Sequence, residues 1–227
     1  MIGFMIVGGI VSSRLKSKVK KYSQVPTVSG MSGKEIAERM LNDNGINDVK
    51  VISVPGKLTD HYNPMDRTVN LSPEVYQGRH VTAAAIAAHE CGHAVQHATA
   101  YQWLQMRSQM VPMVSFSSKL MNIIMILGLI GAGVLKMFPF ATIILVFVIL
   151  QAVVTLFTLI TLPVEFDASS RAIACLQKGG YVTEKELDGA RKVLNAAAMT
   201  YVAAFVTSLL TLLYWAFRLG LLGGRRD

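Results

Sequence analysis

Residues 138–164 run for 27 positions without a charged side chain and end on Glu165. A helix rises 1.5 Å per residue, so about 20 apolar residues cross a ~30 Å hydrocarbon layer and this run is long enough to do so. Residues 196–217 form a second uncharged run of 22 positions, and residues 120–135 are apolar apart from Asn122 and closed by Lys136. The last of these is marginal in length, but it can pair with 138–164 as a transmembrane hairpin over 120–164. The composition agrees, with 52% hydrophobic residues and a mean hydropathy of +0.43, which suits a membrane protein better than a soluble one.

The basic residues give an orientation. Residues 12–119 hold 13 Lys and Arg and residues 165–195 hold 5, against one, Lys136, at the hairpin tip. Positive charge collects on the cytoplasmic side, so both charged segments are expected there, and the final span sends Arg225 and Arg226 outside. The net charge of +8 is accounted for by the anionic inner leaflet, and no basic-aromatic interleaving or phosphate loop points to nucleic acid. Residues 1–11 are wholly apolar or Gly and precede Arg14, Lys16, Lys18, Lys20 and Lys21. A signal peptide has the reverse charge order. The expectation is a short, uncleaved first membrane segment over 1–13, with an interfacial anchor helix as the alternative.

The chemistry lies in His89-Glu90-Cys91-Gly92-His93, set in an alanine-rich stretch expected to be helical over 81–100. Two imidazoles four residues apart share one helix face and can bind one Zn²⁺, while Glu90 sits where its carboxylate can take a proton from water. Cys91 and Cys175 are the two cysteines; reduced structural thiols are expected of a cytoplasmic domain. Around this helix, Ser32 with Glu35 and Thr183 with Glu186 read as capping boxes, and the first helix should stop at Gly45. Residues 49–54 read as a strand, 58–65 as loop, 68–71 as a second strand that could serve as a peptide-gripping edge, and Ser72-Pro73-Glu74 as a helix start.

A hydrolytic zinc site needs a third protein ligand and a position left for water. His97 lies only about 40° around the helix from His89 but ~12 Å along it, which favours a supporting position over ligation. Glu165 is returned by the hairpin to the side of His89 and His93. Sequence physics leaves two equal readings of it: a zinc ligand, or a carboxylate marking the water interface beside Arg171 or a lysine.

The segments YSQVP (22–26), PGKLTDHY (55–62), AAHECGHAVQH (87–97), LPVEFDAS (162–169) and ARKVLNAAA (190–198) together resemble the YugP-like neutral zinc metallopeptidases of bacterial membranes. The Glu165-x-x-Ala168 element is also similar to the later glutamate motif of integral-membrane gluzincins. The resemblance implies Zn²⁺ held by His89, His93 and Glu165, with Glu90 as general base, in a bacterial cell membrane; the charge distribution puts the site toward the cytoplasm. Ser169 departs from the gluzincin pattern, where an Asp normally follows the Ala and supports the metal site, and Asp167 is the candidate to replace it.

The expected protein is therefore mostly α: one polytopic membrane peptidase domain over 1–227, with a gluzincin-like zinc helix and a small β element. Its cytoplasmic parts are 14–119 and 165–195, and its final span is 196–217. Its partners are the lipid bilayer and a peptide or protein substrate, with nothing fixing an oligomeric state. Zn²⁺ would acidify water and polarise a peptide carbonyl while Glu90 moves the proton. His61, Tyr62 and Arg171 are candidate oxyanion donors. The rival reading is a zinc-dependent, peptide-binding membrane adaptor that does not cut.

Overall fold

Local signals in the sequence set most of the helix starts. The computed structural model describes residues 2–130 and 138–220; the expected hairpin tip at Lys136 and the terminal Arg225 and Arg226 fall outside them. Seven helices and three strands are described: α1 (Ile2–Tyr22), α2 (Gly33–Asp43), β1 (Lys50–Ser53), β2 (His61–Asn63), β3 (Thr68–Leu71), α3 (Pro73–Gln77), α4 (Val81–Ala98), α5 (Gln102–Leu129), α6 (Phe140–Lys178) and α7 (Glu184–Arg218). The chain divides into two compact units, Met1–Gln105 with Pro163–Thr200, and Met106–Leu162 with Tyr201–Asp227.

In the first unit, α2 begins on a reciprocal cap. The Ser32 hydroxyl accepts from the Glu35 N–H, and the Glu35 carboxylate accepts from the Ser32 N–H at 2.6 Å, satisfying two amides that the helix leaves open. Ile36, Ala37, Met40 and Leu41 form its buried face, and it packs along α4. Gly45, at φ +69°, takes the left-handed turn past the helix end, a conformation that costs glycine little. All the alanines of α4 except Ala98 are buried with Val69 and Leu71 from β3 and Leu176, Leu187 and Val193 from α6 and α7. Small side chains on α4 let these elements come close.

The sheet differs from expectation in two respects. Residues 61–63, expected to be loop, form β2, which pairs antiparallel with β3 in the register His61↔Asn70, Tyr62↔Val69, Asn63↔Thr68. The Asn63-Pro64 signal is the turn of this hairpin: the Asn63 side chain accepts from the Met65 N–H at 2.9 Å and donates to Asp66 at 2.8 Å. The strand order is β1-β3-β2, with β1 parallel to β3. Residues 68–71 therefore form the central strand, with partners on both sides, and not the free edge expected for gripping peptide. At the start of α3, Pro73 occupies the first turn as expected, but the Ser72 hydroxyl makes no cap. It donates instead to Asp60 at 3.0 Å.

Among the described residues, three helices are long and apolar enough to cross a membrane: α5, α6 and α7. All three overrun the expected spans. α5 starts at Gln102 and contains Pro112, and α6 passes through Pro163 and Glu165 to Lys178. A proline removes one N–H and crowds the preceding turn, and here the helices run through both prolines. α7 starts at the Thr183–Glu186 capping box and continues to Arg218. α1, the expected first membrane segment, continues through the basic stretch to Tyr22 and is not among the three membrane-length helices. Within the second unit α6 and α7 are joined by polar side chains, Gln151 donating to the Ser208 hydroxyl at 2.9 Å and Thr155 lying 2.8 Å from it. In an apolar surrounding such pairs hold helices together.

Candidate metal centre

Helix periodicity places His89 and His93 on one face of α4, their ring centroids 4.8 Å apart. The α6 segment beside them presents Glu165, whose Oε2 lies 3.4 Å from His89 Nε2 and 3.8 Å from His93 Nε2. One ligand atom from each of the three lies within 4.8 Å of the others. His93 is 8% exposed and Glu165 2%. Two imidazole nitrogens and a carboxylate oxygen, converging from two helices into a nearly dry site, are the donor set of a hydrolytic zinc centre, so these residues fit Zn²⁺. Glu165 lies on one of the three membrane-length helices.

The approach of α4 to α6 depends on Gly92. A Cβ at this position would lie 2.5 Å from the Ala168 carbonyl oxygen and 3.1 Å from its carbon. Those are backbone atoms that no side-chain rotation can move. Gly92→Ala is expected to force the helices apart, destabilising the protein by about 1–3 kcal/mol and weakening zinc binding, as read by thermal melting and zinc titration. A variant with unchanged melting and unchanged affinity would show that the close approach is dispensable.

Glu90 is buried, and its Oε2 accepts from the Tyr62 N–H at 3.0 Å. Burial pushes its carboxyl up to about 7, helped by the negative charges of Glu165 and Asp60 and opposed by His89 and the Tyr62 N–H. A carboxylate aimed by a backbone N–H beside the first histidine can take up a proton and return it. The β2 strand that was read as loop is thus what fixes this carboxylate.

The remaining candidates have distinct places. His97 lies outside the three-residue cluster, its Nδ1 2.7 Å from the Tyr62 hydroxyl. His61 is exposed, its Nδ1 2.7 Å from the Thr59 carbonyl oxygen. Arg171 donates from Nε to Asp167 at 2.6 Å and stacks over Tyr101. Asp167 also accepts from Gln96 at 2.8 Å. Ser169, the departure from the gluzincin pattern, has its hydroxyl 3.2 Å from His89 Nδ1, so the position still reaches the first histidine through a hydroxyl in place of a carboxylate.

Sequence reasoning missed Gln96, which is fully buried, with Oε1 2.9 Å from His93 Nδ1. Its signal was there, since residues three apart on a helix are neighbours. Cys91 is buried and donates weakly to the Ala37 carbonyl at 3.6 Å, and burial pushes its thiol well up. Both cysteines are free thiols, as expected.

Comparison with known proteins agrees with this geometry. The family described as "Putative neutral zinc metallopeptidase" matches residues 1–220. The chain is 44% identical over 207 residues to the "Putative membrane protease YugP" of Bacillus subtilis (strain 168), covering 88% of this chain and 86% of that protein. No solved structure matches the chain.

Proposed function

The chain belongs to the neutral zinc metallopeptidase family and is a membrane-embedded zinc metallopeptidase; we propose that His89, His93 and Glu165 hold its Zn²⁺ and that Glu90 is its general base. The observation that carries this reading is the placement of the Glu90 carboxylate, fixed by the Tyr62 N–H and next in sequence to the first histidine of the cluster. When bound, Zn²⁺ supplies a Lewis acid that brings the pKa of water toward 7 and polarises a carbonyl. Glu90 accepts the proton as water attacks the peptide carbonyl, and returns it to the leaving amine. The Tyr62 N–H keeps the carboxylate aimed throughout. Ser169 and Gln96 hold the far nitrogens of the two imidazoles. The buried setting limits competing water.

The purified protein in lipid vesicles is expected to cleave peptide bonds of an unfolded protein substrate, to lose that activity on chelation, and to regain it with added Zn²⁺. Cleavage that persists in excess chelator would refute a zinc mechanism.

The site acts from the cytoplasmic face of a bacterial cell membrane. In this arrangement residues 14–119 and 165–195 lie inside, 120–164 form the hairpin, 196–217 the last crossing, and residues 1–13 a further, short one. The support is the charge distribution, 13 and 5 basic residues in the two inner segments against one at the hairpin tip. On intact cells a membrane-impermeant maleimide is expected to label Phe138→Cys and not Asp66→Cys. Labelling of both from outside would overturn this orientation.

A further inference from the structure

The side-chain amide of Gln96 touches both helices of the metal cluster. Its Nε2 lies 2.8 Å from the Val164 carbonyl oxygen and 2.8 Å from Asp167 Oδ2. A peptide carbonyl and a carboxylate paired with Arg171 can only accept, so the atom facing both is the NH₂, and both its hydrogens are used. The other end of the amide is therefore an oxygen, and it faces His93 Nδ1 at 2.9 Å. That ring nitrogen must be the donor. His93 is then held with its proton on Nδ1, which leaves the Nε2 lone pair directed to the side where Glu165 lies.

We propose that Gln96 is a positioning residue that sets the tautomer and ring orientation of His93 and, through the same amide, fixes the α6 turn carrying Glu165. Val164 and Asp167 flank Glu165 in sequence, so the two bonds from Nε2 anchor the helix on either side of the carboxylate. Arg171 completes the chain by holding Asp167 from one turn further along α6. One buried amide thus aligns two of the three metal-binding side chains, which come from different helices. Asp167 acts on the site through Gln96 and not by touching a histidine itself. The inference rests on the reading of His93 and Glu165 as zinc ligands.

Zinc affinity, measured by competition with a chromophoric chelator on the full-length protein in detergent, tests it. Gln96→Leu is expected to bind Zn²⁺ about 10- to 100-fold more weakly, to change the visible spectrum of the Co²⁺-loaded protein, and to melt somewhat lower as apo-protein, because the buried His93 Nδ1–H and the Asp167 carboxylate each lose a partner. Gln96→Glu keeps an acceptor for His93 but sets a carboxylate against Asp167 and the Val164 carbonyl. In Gln96→Glu/Asp167→Asn the new amide at position 167 can donate to the new carboxylate at position 96, so the double variant should bind Zn²⁺ at least about 10-fold more tightly than Gln96→Glu alone, a recovery within the range of a lost supporting hydrogen bond. Wild-type affinity in Gln96→Leu would overturn the proposal. Should that variant not fold, equal affinities of Gln96→Glu and the double variant would overturn it. His93→Ala serves as the reference: wild-type zinc binding there would mean that the ligand assignment has failed, and the role of Gln96 with it.

Discussion

Glu90→Gln is expected to retain Zn²⁺ at near wild-type affinity and to lose turnover by at least the roughly 10²- to 10⁴-fold typical of a missing general acid-base group. The amide keeps the size of the side chain and can still accept from the Tyr62 N–H, so the fold and the three-residue cluster are undisturbed, but it cannot take a proton from water. Paired kinetics and zinc titration on wild type and variant make the measurement. Equal cleavage by the two proteins would sink the mechanism. A protein that binds peptide equally well in both forms and cuts in neither would be the adaptor that the sequence also allowed.

Glu165→Ala is expected to weaken metal binding far more than His97→Ala. It removes one of three donors, whereas His97→Ala removes a ring bonded to Tyr62 and lying outside the cluster. Loss of a supporting residue typically costs about 10- to 100-fold in affinity, so Glu165→Ala should fall below that range and His97→Ala should lie within it or above. The order of the two affinities in a zinc titration decides the matter. Wild-type affinity in Glu165→Ala would return that residue to the alternative reading, a carboxylate at the membrane boundary.

Why some of this was legible beforehand and some was not follows from where each feature gets its hydrogen bonds. The capping boxes at Ser32–Glu35 and Thr183–Glu186 are closed within four residues, so their residue types announce them. The pairing of His89 with His93 is likewise one turn of helix. The β2 strand was read as loop because its three residues form a strand only through pairing with β3, and the local Asn-Pro signal marks the hairpin turn more loudly than the strand before it. The length of α6 was not legible because the uncharged run ends at Val164, whereas the helix continues through Glu165 to Lys178, its later turns held by the buried Val164, Ala168 and Ala172. The supports of the two histidines are the least legible. Gln96 meets Asp167 across 71 residues and Ser169 meets His89 across 80, separations at which a single sequence carries no distance information. Glu165 was placed with the histidines through its position after the uncharged run and through family resemblance, and the physics of the run alone left it undecided.

The most direct measurement is anomalous diffraction at the zinc edge from crystals of the full-length protein. One peak is expected within bonding distance of His89 Nε2, His93 Nε2 and a Glu165 carboxylate oxygen, about 2.0–2.2 Å from each, with His97 remote from the metal. A peak bound by His97, with Glu165 remote from it, would contradict the assignment of Glu165 as a zinc ligand.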